Sequence, residues 1–163
     1  MGNSKYRRGA LLNPVNDARA MAIELRKSGF QVIAVEDAGL DRMNSAIEEF
    51  GRAIKRGGVA LVFYAGHGMQ VNGENYLIPI DADLKKETDI QSKTLNLGLI
   101  LTKLEDAKSQ VNVVVLDACR DNPFARSWRS AGKGGLASID APRLQARPLP
   151  TAQEQMACLP LTF

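Results

Sequence analysis

Two apolar runs, each ending in a reactive side chain, constrain this chain more than anything else in it. The first is Leu61-Val-Phe-Tyr-Ala-Gly-His-Gly68 and the second is Val113-Val-Val-Leu-Asp-Ala-Cys-Arg120. Unbroken β-branched and aromatic residues predict strands covered on both faces, as in a sheet flanked by helices. In such sheets functional groups collect at the carboxyl edge, where the strands end. The first run delivers His67, the only histidine, and the second delivers Cys119, one of two cysteines. Neighbouring strands of this kind would set a thiol beside an imidazole, the minimal equipment of a cysteine nucleophile and its base.

The segments between the runs fit that picture. Asn13 and Pro14 read as an N-cap followed by proline at the first helical position. Val15, Ala18, Met21, Ala22 and Leu25 follow at helical spacing, and Gly29 is a natural stop. Residues 30–35 read as a short strand. A second helix is expected over residues 41–55, with Met43, Ile47, Phe50 and Ile54 on one face, broken by Gly57 and Gly58. Residues 59–64 form the first buried strand, and His67 follows on a flexible loop. Asn72-Gly73 between short apolar stretches is a two-residue hairpin signal. Residues 81–92 read as a solvated loop, 97–107 as a helix and 111–116 as the next buried strand. This order predicts an α/β fold, a three-layer sandwich with a mostly parallel sheet.

At 163 residues the chain suits one domain with a single core. That domain is expected over residues 1–141. From Arg120 to Arg147 there are six basic residues against two acidic ones, with little periodicity. Residues 142–163 hold four prolines and no strand or helix pattern, so a poorly ordered tail is expected there.

Composition narrows the function classes. A net charge of +3 without a dense basic run argues against a nucleic-acid partner. No apolar stretch reaches the roughly 20 residues of a membrane span, and the polar start does not read as a secretory signal. Cys119 and Cys158 make no disulfide framework, so a reduced, cytoplasmic setting is the expectation. One histidine and two distant cysteines have no zinc-site spacing, and no metal or other cofactor is expected. Asp81, Asp83 and Asp89 lie in an acidic stretch, but their spacing is not that of a calcium loop, and Lys85 and Lys86 intervene.

Taken singly, Cys119 reads as a buried small hydrophobe and His67 as a structural histidine. Together they read as a functional pair. His67 precedes Cys119 by 52 residues, close to the spacing of about 50 found in one group of cysteine proteases.

Four blocks extend the signal: Leu12-Asn-Pro-Val-Asn-Asp-Ala-Arg19, Tyr64-Ala-Gly-His-Gly68, Asn75-Tyr-Leu-Ile-Pro-Ile-Asp-Ala82 and Leu116-Asp-Ala-Cys-Arg-Asp-Asn-Pro-Phe124. Through them the chain resembles the caspase/metacaspase clan, and most closely the bacterial caspase-like (orthocaspase-type, peptidase C14) domains, over residues 2–141. The resemblance implies peptide-bond hydrolysis through an acyl-thioester, with Cys119 as nucleophile and His67 as catalytic histidine. It implies that the backbone N–H groups of Gly68 and Cys119 receive the oxyanion. It also implies a pocket for the residue before the scissile bond, with Asp117 and Asp17 as its acidic positions. Two carboxylates there favour Arg or Lys through charge-assisted bonds. Asp117 shares a strand face with Cys119 by the i, i+2 rule. Asp17 alone also suits the first turn of a helix, where the dipole favours an acid.

The chain departs from that pattern in two places. Family members carry an apolar first strand directly before the Gly-Asn-Ser-x-Tyr segment, central in the sheet; here that segment begins at Gly2. The strands expected beyond Pro142 are also missing. A gap in the sheet and self-association through an exposed edge follow as expectations. The leading reading is thus a cysteine endopeptidase acting on peptide or protein after Arg or Lys. The alternatives are a catalytically inactive caspase-like fragment serving as an interaction module, and another thiol hydrolase on an α/β sandwich.

Overall fold

The computed structural model of the protein describes residues 1–119; the basic segment, Trp128, Cys158 and the 142–163 tail lie outside the described residues. Two helices come first, α1 (Pro14–Lys27) and α2 (Leu40–Ala53). Strand β1 (Val59–Val71) turns back into β2 (Glu74–Leu77). A 3-10 turn (Glu87–Asp89) and the short α3 (Ile90–Lys93) lead to β3 (Leu95–Asn96), α4 (Leu97–Asp106) and β4 (Val111–Cys119).

The helices form where the apolar spacing predicts. Pro14 sits at the first helical position of α1, and Gly29 follows its end with φ +83°. Asn13 precedes the helix in helical geometry and makes no side-chain cap bond. In α2, Met43, Ala46 and Ile47 are buried at the i, i+3, i+4 spacing of one helix face. They join Leu97, Ile100 and Leu104 of α4 and Ala60, Val62 and Tyr64 of β1 in the main core. Each large apolar side chain buried there stabilises the fold by about 1.5–3 kcal/mol. A second cluster gathers Tyr6, Met69, Tyr76, Ile78, Leu84 and Ile90.

The four strands lie in the order β3-β2-β1-β4. β1 and β4 run parallel, in register from Val59↔Val111 to His67↔Cys119. β1 with β2, and β2 with β3, are antiparallel. The sheet is therefore mixed, with two of its three pairings antiparallel, and not mostly parallel as the element order suggests. The hairpin accounts for this: Asn72 (φ +52°) and Gly73 (φ +83°) reverse the chain at once, with Val71↔Glu74 closing the turn.

Three further expectations change. Residues 30–35 form no strand. A groove, rather than a partner strand, lies between them and β1. Gly2 reaches across one end of this region, in parallel bridges to Glu36 on one side and Ala65 on the other. The first turn of α1 packs directly over Gly2, where a Cβ would fall 2.7 Å from that of Ala18. Residues 81–92 are not simply a solvated loop. Leu84 and Ile90 are buried, and the carboxylates have structural partners. Asp81 accepts from the Leu40 amide at 3.1 Å. Asp89 accepts from the amides of Lys85 and Lys86 and pairs with Lys93 at 3.5 Å. Finally, β1 does not stop at Tyr64. It continues through His67 because β2 and β4 pair with its far half. No helix among the described residues is long and apolar enough to cross a membrane.

Candidate active site

The register of the parallel pair places Cys119 beside His67, one strand spacing of about 4.8 Å away across the ladder. Both stand at the end of the β1–β4 pairing, at its carboxyl edge. His67 is only 4% exposed, so the imidazole sits within a strand and not on a flexible loop.

Three neighbours fix it. The His67 amide donates to Tyr6 Oη at 2.9 Å. Tyr64 Oη donates to the His67 carbonyl at 2.7 Å, which leaves Tyr6 to donate to Tyr64 Oη across 3.2 Å. The rings of Tyr6 and His67 lie 4.4 Å apart at 50°. Burial raises the Tyr6 phenol above its ordinary range, so it stays protonated and able to donate. Gly66 makes the arrangement possible: a Cβ there would lie 2.5 Å from Tyr6 Oη and 2.7 Å from Tyr64 Oη.

The third neighbour sets the chemistry. His67 Nε2 lies 2.6 Å from the Gly9 carbonyl. A carbonyl can only accept, so Nε2 donates to it, and in the neutral ring Nδ1 is the nitrogen free to take a proton. Nδ1 is buried and has no hydrogen-bond partner among the described residues. A buried nitrogen left so is one of the rare exceptions that call for a functional or structural reason. Gly9 itself has φ +70°, a left-handed geometry that glycine adopts without strain.

Gly68 is buried in β1 opposite Leu77. The His67 carbonyl bonds to the Ile78 amide, so the alternation of strand bonds turns the Gly68 N–H to the opposite edge, toward β4. An oxyanion served by Gly68 has to share that edge with the β1–β4 ladder. Asp117 is exposed and in register with Ala65. Asp17 is exposed in the first turn of α1. Across the sheet, Glu36, Gly2, Ala65 and Asp117 form one row, with the start of α1 over Gly2. No hydrogen bond or ion pair joins Asp17 to Asp117. Glu36 is already engaged, by Arg19 at 2.5 Å. Among the described residues no group of three or more metal-ligating side chains converges.

Sequence reasoning gave no role to Tyr6, Asn3 or Gly9. Asn3 is fully buried and ties the Ala38 amide (2.9 Å) and the Ile78 carbonyl (3.2 Å) to the N-terminal segment. Asn3 and Tyr6 share the Gly-Asn-Ser-x-Tyr segment, whereas Gly9 lies outside it and carries no motif signal.

A mixed sheet flanked by helices, with a histidine and a cysteine in register where two parallel strands end, defines a caspase-like α/β domain. The chain belongs to the caspase-domain family, peptidase C14, whose family model matches residues 1–157. It is 30% identical over 121 residues to mucosa-associated lymphoid tissue lymphoma translocation protein 1 of Homo sapiens, covering 74% of this chain. Its homologue in Mus musculus is 29% identical over the same length of 121 residues. The chain spans 14% of the length of each relative.

Proposed function

We propose that this chain is a cysteine endopeptidase that cuts peptide or protein after Arg or Lys. The observation that carries this reading is the register of His67 with Cys119, together with a Gly9 carbonyl that leaves His67 Nδ1 bare. In the proposed cycle Nδ1 takes the Cys119 thiol proton and the thiolate attacks the scissile carbonyl. The amides of Gly68 and Cys119 receive the oxyanion. The imidazolium then protonates the leaving amine, and water hydrolyses the acyl-thioester with His67 again as base. Asp117 and Asp17 supply the negative charge that selects a basic residue before the cut.

The test is hydrolysis of paired fluorogenic peptides ending in Arg or Asp before the reporter. Cleavage after Arg should fall at least about a thousandfold in both Cys119→Ala and His67→Ala. Asp117→Asn should raise KM for the Arg peptide by about tenfold with little change in kcat. Cleavage after Asp would retain the peptidase and remove the acidic pocket. Silence on both peptides from a folded sample would transfer the reading to an inactive interaction module.

A further inference from the structure

The hydrogen bonds around His67 set the side on which a cut chain departs. The His67 amide and carbonyl both face away from β4, the amide to Tyr6 Oη at 2.9 Å and the carbonyl to the Ile78 amide at 3.0 Å. Gly9, three residues after Tyr6, meets the ring at Nε2, 2.6 Å away. Cys119 stands on the other edge of β1, in register on β4. Across the sheet the order is therefore Cys119, His67, then the loop that follows Tyr6. In the proposed cycle the acyl half of the substrate stays on Cys119, while the leaving amine takes its proton from His67. The chain that begins at that amine thus passes His67 on the side of the loop. An extended chain advances about 3.3 Å per residue, which brings its second and third residues within reach of residues 7–10.

That loop is held at both ends and open between them. Tyr6 is buried, and Leu11 packs against the same apolar cluster. The Leu11 amide donates to the Ser4 carbonyl at 3.0 Å and the Val15 amide to Ser4 Oγ at 3.2 Å. Between these anchors Arg7, Arg8, Gly9 and Ala10 are exposed. Neither arginine makes a hydrogen bond or an ion pair among the described residues, unlike Lys5 on Asp37 and Arg19 on Glu36. No acidic residue occurs between Lys5 and Asp17. Two uncompensated guanidinium groups therefore stand on a braced loop beside the general base.

We infer that Arg7 and Arg8 form a subsite for acidic residues on the leaving side of the scissile bond, at the second and third positions after the cut. The inference rests on the peptidase reading and adds an opposite charge to its recognition: carboxylates select a basic residue before the cut, and guanidinium groups an acidic pair after it. A guanidinium holds a carboxylate through paired N–H donors. Both arginines are exposed, so the preference is moderate and weakens with salt.

The probes are two internally quenched peptides, Leu-Arg-Gly-Asp-Glu and its uncharged counterpart Leu-Arg-Gly-Asn-Gln, identical up to the cut. At low salt the full chain should cut the acidic peptide with a kcat/KM about threefold to tenfold higher. That ratio should approach one in Arg7→Gln/Arg8→Gln and fall below one in Arg7→Glu/Arg8→Glu, an inversion that damaged folding does not produce. Fluorescence anisotropy with the Cys119→Ala chain reads the same subsite without turnover, and the labelled acidic peptide should bind more tightly there by a similar factor. Equal cutting and equal binding of the two peptides would overturn the inference, as would a preference that survives both arginine double variants. Tighter binding of the acidic peptide to Cys119→Ala, lost in the glutamine variant, would uphold the subsite even where the folded parent cuts neither peptide; that result would overturn the peptidase reading alone.

Discussion

At the scale of single residues, the site rests on hydrogen bonds that no side-chain pattern reveals. The His67 amide has one acceptor, the Tyr6 hydroxyl. Tyr6→Phe keeps the ring and removes that acceptor, so a buried amide is left unsatisfied. The expected cost is about 1–3 kcal/mol of stability, read as a lower urea midpoint at unchanged slope. The same logic explains what was legible here. His67 and Cys119 stood out because rare, reactive residue types interrupt apolar runs. Tyr6, Asn3 and Gly9 did not, because their roles arise from groups brought in from residues 35 to 75 positions away.

At the scale of elements, local signals transferred well and pairing signals did not. The Asn72-Gly73 turn was readable because its dihedrals are a local demand. Nothing lies within 4 Å of a Cβ added at Gly73, so Gly73→Ala isolates the backbone term. A left-handed alanine costs about 1–2 kcal/mol, and the Tm by circular dichroism should fall accordingly. Helices α1, α2 and α4 were readable from 3.6-residue spacing for the same reason. The 30–35 segment was misread as a strand because its composition fits one while the partner that would pair with it is not beside it. β1 was cut short because Gly66, His67 and Gly68 look like a loop; pairing with β2 and β4 overrides that local preference.

At the scale of the whole molecule, burial of the amino terminus links stability to pH. The unfolded amine titrates near 8.0 and the folded one near 6. Between these values the unfolded chain binds more protons, so stability should rise from pH 6 to pH 8, by up to about 3 kcal/mol. Urea midpoints across that window should show the rise for the chain with a free Met1 amine and lose it on N-terminal acetylation. Asp37 acts at the acid end. Burial opposes its ionisation, but the Ser4 and Lys5 amides and the Lys5 ammonium prevail and hold its carboxyl below the ordinary range. Its contribution is complete above the unfolded carboxylate pKa and disappears as pH falls through the folded one.

The β1–β4 pairing also orders events in time. It joins residues 52 apart in the chain, and α4 and the β1–β2 hairpin both lie between them. Hairpins and single helices close within microseconds, whereas distant parallel pairing must first overcome the entropy of a long loop. Histidine and cysteine therefore meet late, after their surroundings have formed. During synthesis, β4 leaves the ribosome long after β1, and until it docks the nascent chain carries its thiol and its imidazole as strangers.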